Sequence, residues 1–336
     1  MPAGPFLNAI KGTTGSAPGT GDFTPNAAAS GFIAWGDSVW GVPTGWVGLV
    51  RYDDGTAWEL RYGYWNGTTI SRPANGFVTS STGSALSLSS AATAAIPADG
   101  QIVAPHLGTG LARGYTGIPN DTGNPTALGV AGITVTGTAG TATIATTNFL
   151  TEVPRSLATS ATTANAQAGY TTPVTVSTNT TAGRGGWQFV ARFGSTQFDP
   201  TARRIFVGAT QTTFVGVTTD PSAFTSRYAC FALDVADTNI QFLTNSNTTT
   251  GTKIDTGLTL VAAGWYHAQI WMRPGAGRVY GLLIRLDTGG IWFGSTTTDI
   301  PDTTTLRGHV LGGRGAGTGT AFAMNMGAVM LRPGAF

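Results

Sequence analysis

Hydrophobic and polar residues alternate with a period of two through much of the chain. Across residues 57–65, Trp58, Leu60, Tyr62 and Tyr64 fall on one face and Glu59 and Arg61 on the other. That is the period of a half-buried strand, with the aromatic face as its apolar side. The run at 46–52 precedes it across Asp54-Gly55, and Asn66-Gly67 leads into residues 68–72. Asp-Gly and Asn-Gly supply the positive φ of tight hairpin turns. The spacing predicts a three-strand antiparallel meander, too small to be stable without further strands or other chains.

The same period returns after residue 150. Trp187, Phe189, Ala191 and Phe193 share one face, and strand patterns follow at 203–208 and 238–243. Residues 265–273 and 278–286, joined by the turn sequence at 274–277, form the clearest long hairpin. At 321–331, alternation places Phe322, Met324, Met326, Ala328 and Met330 together. Many strands at turn-punctuated spacing predict a β-sandwich of the jelly-roll type over 151–336. Between the two patterned regions, residues 98–150 carry only short apolar stretches (Val130, Ile133, Val135, Ala142, Ile144). They read as a slender neck whose strands pair across protomers, or as a flexible linker. Residues 1–30 hold few large apolar residues beyond Phe6 and Phe23 and read as an extended attachment arm or a disordered terminus. Residues 31–97 form the first β domain. The best helical stretch is the Ala-rich 90–95, and it is short, so the expected class is all-β.

Composition sharpens this picture. Of 336 residues, 10% are charged, against about 25% in soluble domains, while 49 are glycine. The 33 aromatic residues are enough to build cores, so low charge does not mean disorder. Positive charge is almost all arginine, 16 residues against only Lys11 and Lys253. Residues 1–150 carry 5 basic and 7 acidic groups (−2), and the remainder 13 and 9 (+4). This dispersed charge excludes a nucleic-acid footprint. Sparse arginine suits fixed hydrogen bonds across an interface. Cys230 is alone and apolar in its surroundings, so it reads as core. No charged segment followed by an apolar one opens the chain, and no run approaches membrane-spanning length. The expectation is therefore neither cleaved secretion nor membrane insertion.

In order, a Trp-Glu-Leu strand (58–60), a Gly-Tyr strand end (63–64), Thr-Ile-Ser-Arg (69–72) and the Ser80–Leu88 stretch resemble the N-terminal docking module of tailed-bacteriophage virion fibres. The resemblance covers roughly residues 10–97. A second group of fragments, at 185–194, 204–208, 237–242 and 251–255, resembles the lectin-like C-terminal module of phage tail fibres; the segment 213–222 departs from it by being shorter. Together these imply a virion structural protein, a homotrimer. It would dock to capsid, portal or tail proteins through its N-terminal part and present a distal sandwich to a host-surface glycan. Five tryptophans within 35–65 (Trp35, Trp40, Trp46, Trp58 and Trp65) suit a docking or subunit interface, or else one unusually aromatic small core. Trp265 and Trp292, beside distal loops, are the candidates for stacking on a sugar ring; core packing is the competing reading.

Catalytic and metal constellations are sparse. His106, His267 and His309 lie far apart, and no metal or cofactor is expected. A glycosidase needs two carboxylates across a sugar. Glu59 and Glu152 are the only glutamates. Asp234 with Asp237, or Asp287 with Asp299 and Asp302, read as turn-capping residues. The glycine-rich 312–319 precedes no helix and reads as a loop. The expectation is a non-enzymatic fibre or spike, with a receptor-free head fibre or decoration protein and a depolymerising tailspike hydrolase as alternatives.

Overall fold

The Asp-Gly hairpin forms where the pattern placed it. β3 (Val47–Asp54) and β4 (Ala57–Trp65) pair antiparallel in a register that matches Asp54 with Ala57, and Gly55 turns at φ +64°. The computed structural model describes residues 10–37, 42, 46–96, 115–117, 133–140, 142–148, 150–151, 155–178, 185–211, 217–248, 250–273, 275, 277–302, 304–315 and 319–333. The chain divides into two compact units, residues 1–110 with 288–293 and residues 111–287 with 294–336. Among the described residues there are strands and short 3-10 turns but no α-helix, and so no helix long and apolar enough to cross a membrane.

The first unit is one sheet of seven strands. β1 (Lys11–Thr14), β2 (Pro25–Ala28), β5 (Ile70–Ser71), β6 (Phe77–Ser80) and β7 (Thr93–Ala95) join the hairpin in the order β2-β1-β7-β3-β4-β5, with β6 also on β4. Two expectations are corrected here. Residues 10–28, expected within an extended arm, supply two strands of this sheet, and Ile10 and Phe23 are fully buried. Long-range pairing with β7 gives the segment the partners that its own composition lacks. The Ala-rich 90–95 stretch ends in strand β7, not a helix. A run this short cannot repay helix nucleation, and the small Ala94 fits between β1 and β3.

The facing of β4 is also the reverse of the expected one. Glu59, Arg61 and Trp65 are buried, at 0%, 4% and 3% exposure, on the side shared with Val50 and Tyr52 of β3. Of the four residues expected inside, Trp58, Leu60 and Tyr64 are only half-buried, and Tyr62 alone is buried, at 6% exposure. Charge goes inward because it is matched there. Arg61 Nε donates to Glu59 Oε1 at 2.7 Å, Arg72 donates to the same oxygen at 3.1 Å, and the Leu86 N–H donates to Oε2 at 2.7 Å. The two guanidiniums then reach the carbonyls of Gly19, Gly21, Arg72, Pro73 and Leu86. Arg72 also lies over the Tyr52 ring, 4.9 Å from its centroid. Burial alone would raise the Glu59 pKa; the Leu86 N–H and the two guanidiniums outweigh it and hold the carboxyl below its ordinary value.

The second unit is a sandwich of two antiparallel sheets. One runs β10 (Thr138–Gly140), β11 (Ser156–Thr159), β22 (Ala323–Pro333), β13 (Trp187–Gln197), β18 (Trp265–Met272), β19 (Val279–Arg285), β20 (Gly290–Thr296, of which only 294–296 belong to this unit), with β8 (Tyr115–Gly117) on β22. The other runs β17 (Thr252–Thr259), β16 (Asn239–Ser246), β15 (Arg227–Leu233), β14 (Arg203–Gln211), β21 (Thr305–Arg314), β12 (Gln167–Ser177), β9 (Thr134–Thr136). From β13 onward the chain crosses between sheets from β13 to β14, from β17 to β18, from β20 to β21 and from β21 to β22, which gives the jelly-roll-type connectivity that the pattern predicts. Where the expected neck is described, β8, β9 and β10 pair with β22, β12 and β11 of the same chain. Glycine- and threonine-rich segments with little apolar surface extend a sheet that other strands have already built.

The described part of the 212–226 connection packs on the outer side of the seven-stranded sheet. Val217 and Phe224 close a second small core there with Phe206, Tyr228, Cys230, Ala232, Leu243 and Leu311. Cys230 is fully buried, and burial pushes its thiol pKa up. β22 departs from its expected facing. A register shift at Gly327 pairs Phe193 with Met326 but Arg192 with Ala328. The bulge sends Met324 and Met326 inward with Phe193, and Ala328 and Met330 outward.

The buried carboxylate makes a direct prediction. Glu59→Gln leaves two guanidiniums facing one neutral amide, a loss of ~3–5 kcal/mol for a broken buried pair. Calorimetry of the full chain is expected to show the first unit's unfolding temperature falling while the sandwich transition stays in place. An unchanged first transition would mean the cluster is not what closes this sheet.

Candidate functional site

Register places a grid of side chains on the outer face of the eight-stranded sheet, the face turned away from the other sheet. The inner face is marked by Phe189, whose ring comes so near Gly308 of β21 that a side chain there would meet it at 3.1 Å. Residues of the opposite parity therefore point outward. Arg332, Gln188, Trp271 and Tyr280 form one row across β22, β13, β18 and β19. Met330, Val190, Gln269 and Leu282 form the next, and Ala328, Arg192, His267 and Ile284 the third.

The first row is aromatic and polar together. Trp271 and Tyr280 stack with ring centroids 5.4 Å apart and planes 11° from parallel. Arg273 lies over Tyr280 at 5.9 Å, and Arg332 Nε donates to Gln188 Oε1 at 2.8 Å. Trp271, Tyr280 and Arg332 are half-buried. Such a row can cover the apolar face or edge of a ring-shaped ligand while amide and guanidinium groups meet its hydroxyls. It contains no nucleophile or general acid.

The two tryptophans expected to stack on sugar are placed differently. Trp265 is 1% exposed, its ring lying over Gly194 and Gly327; a Cβ at Gly327 would stand 2.4 Å from the indole. Trp292 is 5% exposed. With ring faces covered, neither offers a stacking surface. Trp271 shares its strand and its parity with Trp265, so the alternation located the face; the end of the sheet that stays open was not readable from it.

The N-terminal tryptophans divide. Trp35, Trp46 and Trp65 sit in the first unit's core, with Trp35 5.7 Å from Trp46 and 5.8 Å from Trp65 between ring centroids. Trp35 Nε1 donates to the Ala94 carbonyl at 2.9 Å. They are thus the small aromatic core weighed against an interface. Trp58 is half-buried beneath the Arg51 guanidinium, 5.4 Å from the ring. Trp40 lies outside the described residues, as does His106.

The carboxylate pairs are engaged by cations and hydroxyls. Lys253 Nζ bridges Asp234 at 2.9 Å and Asp237 at 2.7 Å. Asp287 pairs with Arg285, Asp302 with Arg227, and Asp299 accepts from Thr252. Among the described residues no three His, Cys, Asp or Glu side chains gather as a metal site.

No known family matches the chain, and no curated protein matches it. Among solved structures it is similar to peanut lectin crystallised with a 9mer peptide, at 11% identity and a TM-score of 0.44, over 65% of this chain and 95% of that one. It is similar to the Lotus tetragonolobus seed lectin at 12% and 0.43, over 65% and 96%. Lectin II from Ulex europaeus gives 8% and 0.41, over 65% and 97%. At these scores the likeness carries no assignment, and the sandwich is defined by its own strand order.

Two histidines make the sandwich sensitive to acid. Burial, then the neighbouring Arg192, lowers the His267 pKa to about 3; burial, then Arg307, does the same for His309, whose Nδ1 lies 3.0 Å from the Thr171 hydroxyl. An unfolded histidine titrates at about 6.5. Between these values the unfolded chain binds more protons, so stability is full above pH 6.5 and falls as pH drops toward 3, by ~1.4 kcal/mol per unit per histidine. Denaturant unfolding of the sandwich at pH 7 and pH 5 is expected to show this loss, and His267→Gln to reduce it. An identical slope in that variant would contradict the assignment.

Proposed function

We propose that this chain is a non-enzymatic structural fibre or spike protein of a tailed-bacteriophage virion. Its first unit docks to the particle, and its sandwich binds a host-surface glycan. The observation that carries the reading is that the separate fragments resembling the virion-docking module meet in space. Trp-Glu-Leu contributes Glu59, Thr-Ile-Ser-Arg contributes Arg72, and the Ser80–Leu88 stretch contributes the Leu86 N–H, all within one buried hydrogen-bonded cluster. Residues shared in order with such modules are thus the ones that hold this sheet together.

The sandwich adds a surface suited to attachment, the Trp271–Tyr280 row with its flanking guanidiniums. The chain acts as a homotrimer in this reading. Three weak sites on one fibre, repeated over several fibres, bind a surface far more tightly than one. Of the aspartates weighed for a hydrolase, Asp234 pairs with Lys253, Asp287 with Arg285 and Asp302 with Arg227.

The test is incubation of the purified full chain with bacterial capsule or lipopolysaccharide. Retention without released oligosaccharide is the expected result. Released oligosaccharide would make the protein a depolymerising spike, and no retention would make it a decoration protein. Trp271→Ala is expected to weaken single-site binding roughly 10-fold, or ~1.4 kcal/mol, with the sandwich still folded by circular dichroism. Unchanged binding in a folded variant would move the site elsewhere on the molecule.

A further inference from the structure

The third row of the outer grid holds a cation that nothing among the described residues neutralises. Arg192 is half-buried on β13, and among the described residues it makes no hydrogen bond or ion pair; its Nε is shut away from water with no acceptor. Opposite it on β18 is His267, 1% exposed, with Nδ1 likewise lacking a partner. Arg155 reaches Asn325, Arg204 reaches Asp220, Arg285 reaches Asp287 and Arg314 reaches Asp199, whereas the Arg307 Nε, like that of Arg192, is buried without an acceptor among the described residues. A charge taken out of water without a counter-charge is disfavoured unless something else brings one.

The surroundings say what kind of group would fit. Gln269, half-buried, stands two residues along β18 from His267 on the same face. Gly327 leaves the β22 side of Arg192 without a side chain, and a Cβ there would come within 3.2 Å of the Arg192 Cβ. The Trp265 indole closes the end over Gly194 and Gly327. Arg192 and the 1%-exposed His267 thus stand opposite each other across β13 and β18, with Gln269 on the same face and the Trp265 indole at one end, on the same side of the sheet as the Trp271–Tyr280 row. Burial lowers the Arg192 pKa, in keeping with a guanidinium that has lost water and gained no anion.

We infer that Arg192, with His267 and Gln269, receives the carboxylate of an acidic sugar, making the sandwich selective for glycans that carry hexuronic or related sugar acids. The inference rests on the glycan-binding reading and deepens it. A carboxylate suits the guanidinium fork, which meets two oxygens at once. The imidazole and amide then face the sugar's hydroxyls.

Titration calorimetry of the full chain with galacturonate, galactose and acetate tests this. Galacturonate is expected to bind at least 10-fold more tightly than either of the others, since it alone offers both charge and ring. Arg192→Gln should bring galacturonate down to the galactose level without lowering the unfolding temperature, because it removes an unpaired charge; Arg192→Lys should recover part of the difference. Acetate binding as well as galacturonate would reduce the site to an ion site and overturn the sugar class. Equal affinity for galactose, or a Gln variant that loses stability while keeping galacturonate binding, would overturn the site itself. Retention on bacterial polysaccharide separates the two levels. Wild-type retention undiminished by Arg192→Gln sinks this site and spares the adhesin reading. Galacturonate binding without retention on any surface polysaccharide spares the site and sinks that reading.

Discussion

A single carboxylate with no exposed surface organises the first unit. Glu59 accepts from Arg61, from Arg72 and from the Leu86 N–H, and each donor belongs to a different stretch of chain. The guanidiniums extend the reach to carbonyls as far back as Gly19. A buried charge must be fully matched or it opposes folding. That requirement binds the hairpin, the Thr-Ile-Ser-Arg strand and the following loop to one geometry. The aromatic core of Trp35, Trp46 and Trp65 then packs beside the cluster, with Tyr52 beneath Arg72.

The sandwich is organised by the opposite means. Its inner face is filled by Phe189, Phe193, Ile270 and Val310, all essentially without exposure. Glycines such as Gly194 and Gly308 let rings approach the backbone. Polar groups on the outer face are only partly matched. Arg332 and Gln188 find each other, whereas Arg192 and His267 do not. The first unit closes Glu59, Arg61 and Arg72 into one buried network, whereas the sandwich leaves the Arg192 Nε without an acceptor among the described residues.

The proposed attachment function is built on that contrast. The first unit's cluster ties together the fragments that resemble a virion-docking module. The sandwich's outer face gathers two stacked aromatics, two guanidiniums, two amides and an imidazole on four adjacent strands. Such a face has the mixed apolar and polar character by which sugars are held. Avidity between protomers would make modest single-site affinity sufficient.

Period-two alternation, Asp-Gly and Asn-Gly turns, and the scarcity of helix-forming stretches were enough to specify an all-β protein, the β3–β4 hairpin and the long β18–β19 hairpin. These features are local, and the residues that encode them are neighbours in sequence. Facing was another matter. Glu59 and Arg61 look like the wet side of β4 until Arg72 and Leu86, 13 and 27 residues away, are brought to them. Gly327 looks like one more glycine until its bulge turns Met330 outward and lets the Trp265 indole lie against the backbone beside Arg192. Trp265 and Trp271 share one strand and one parity, yet only the neighbours across the sheet bury the first and leave the second half-open. Alternation along a strand records two sides; which side is dry depends on partners that the chain delivers from elsewhere.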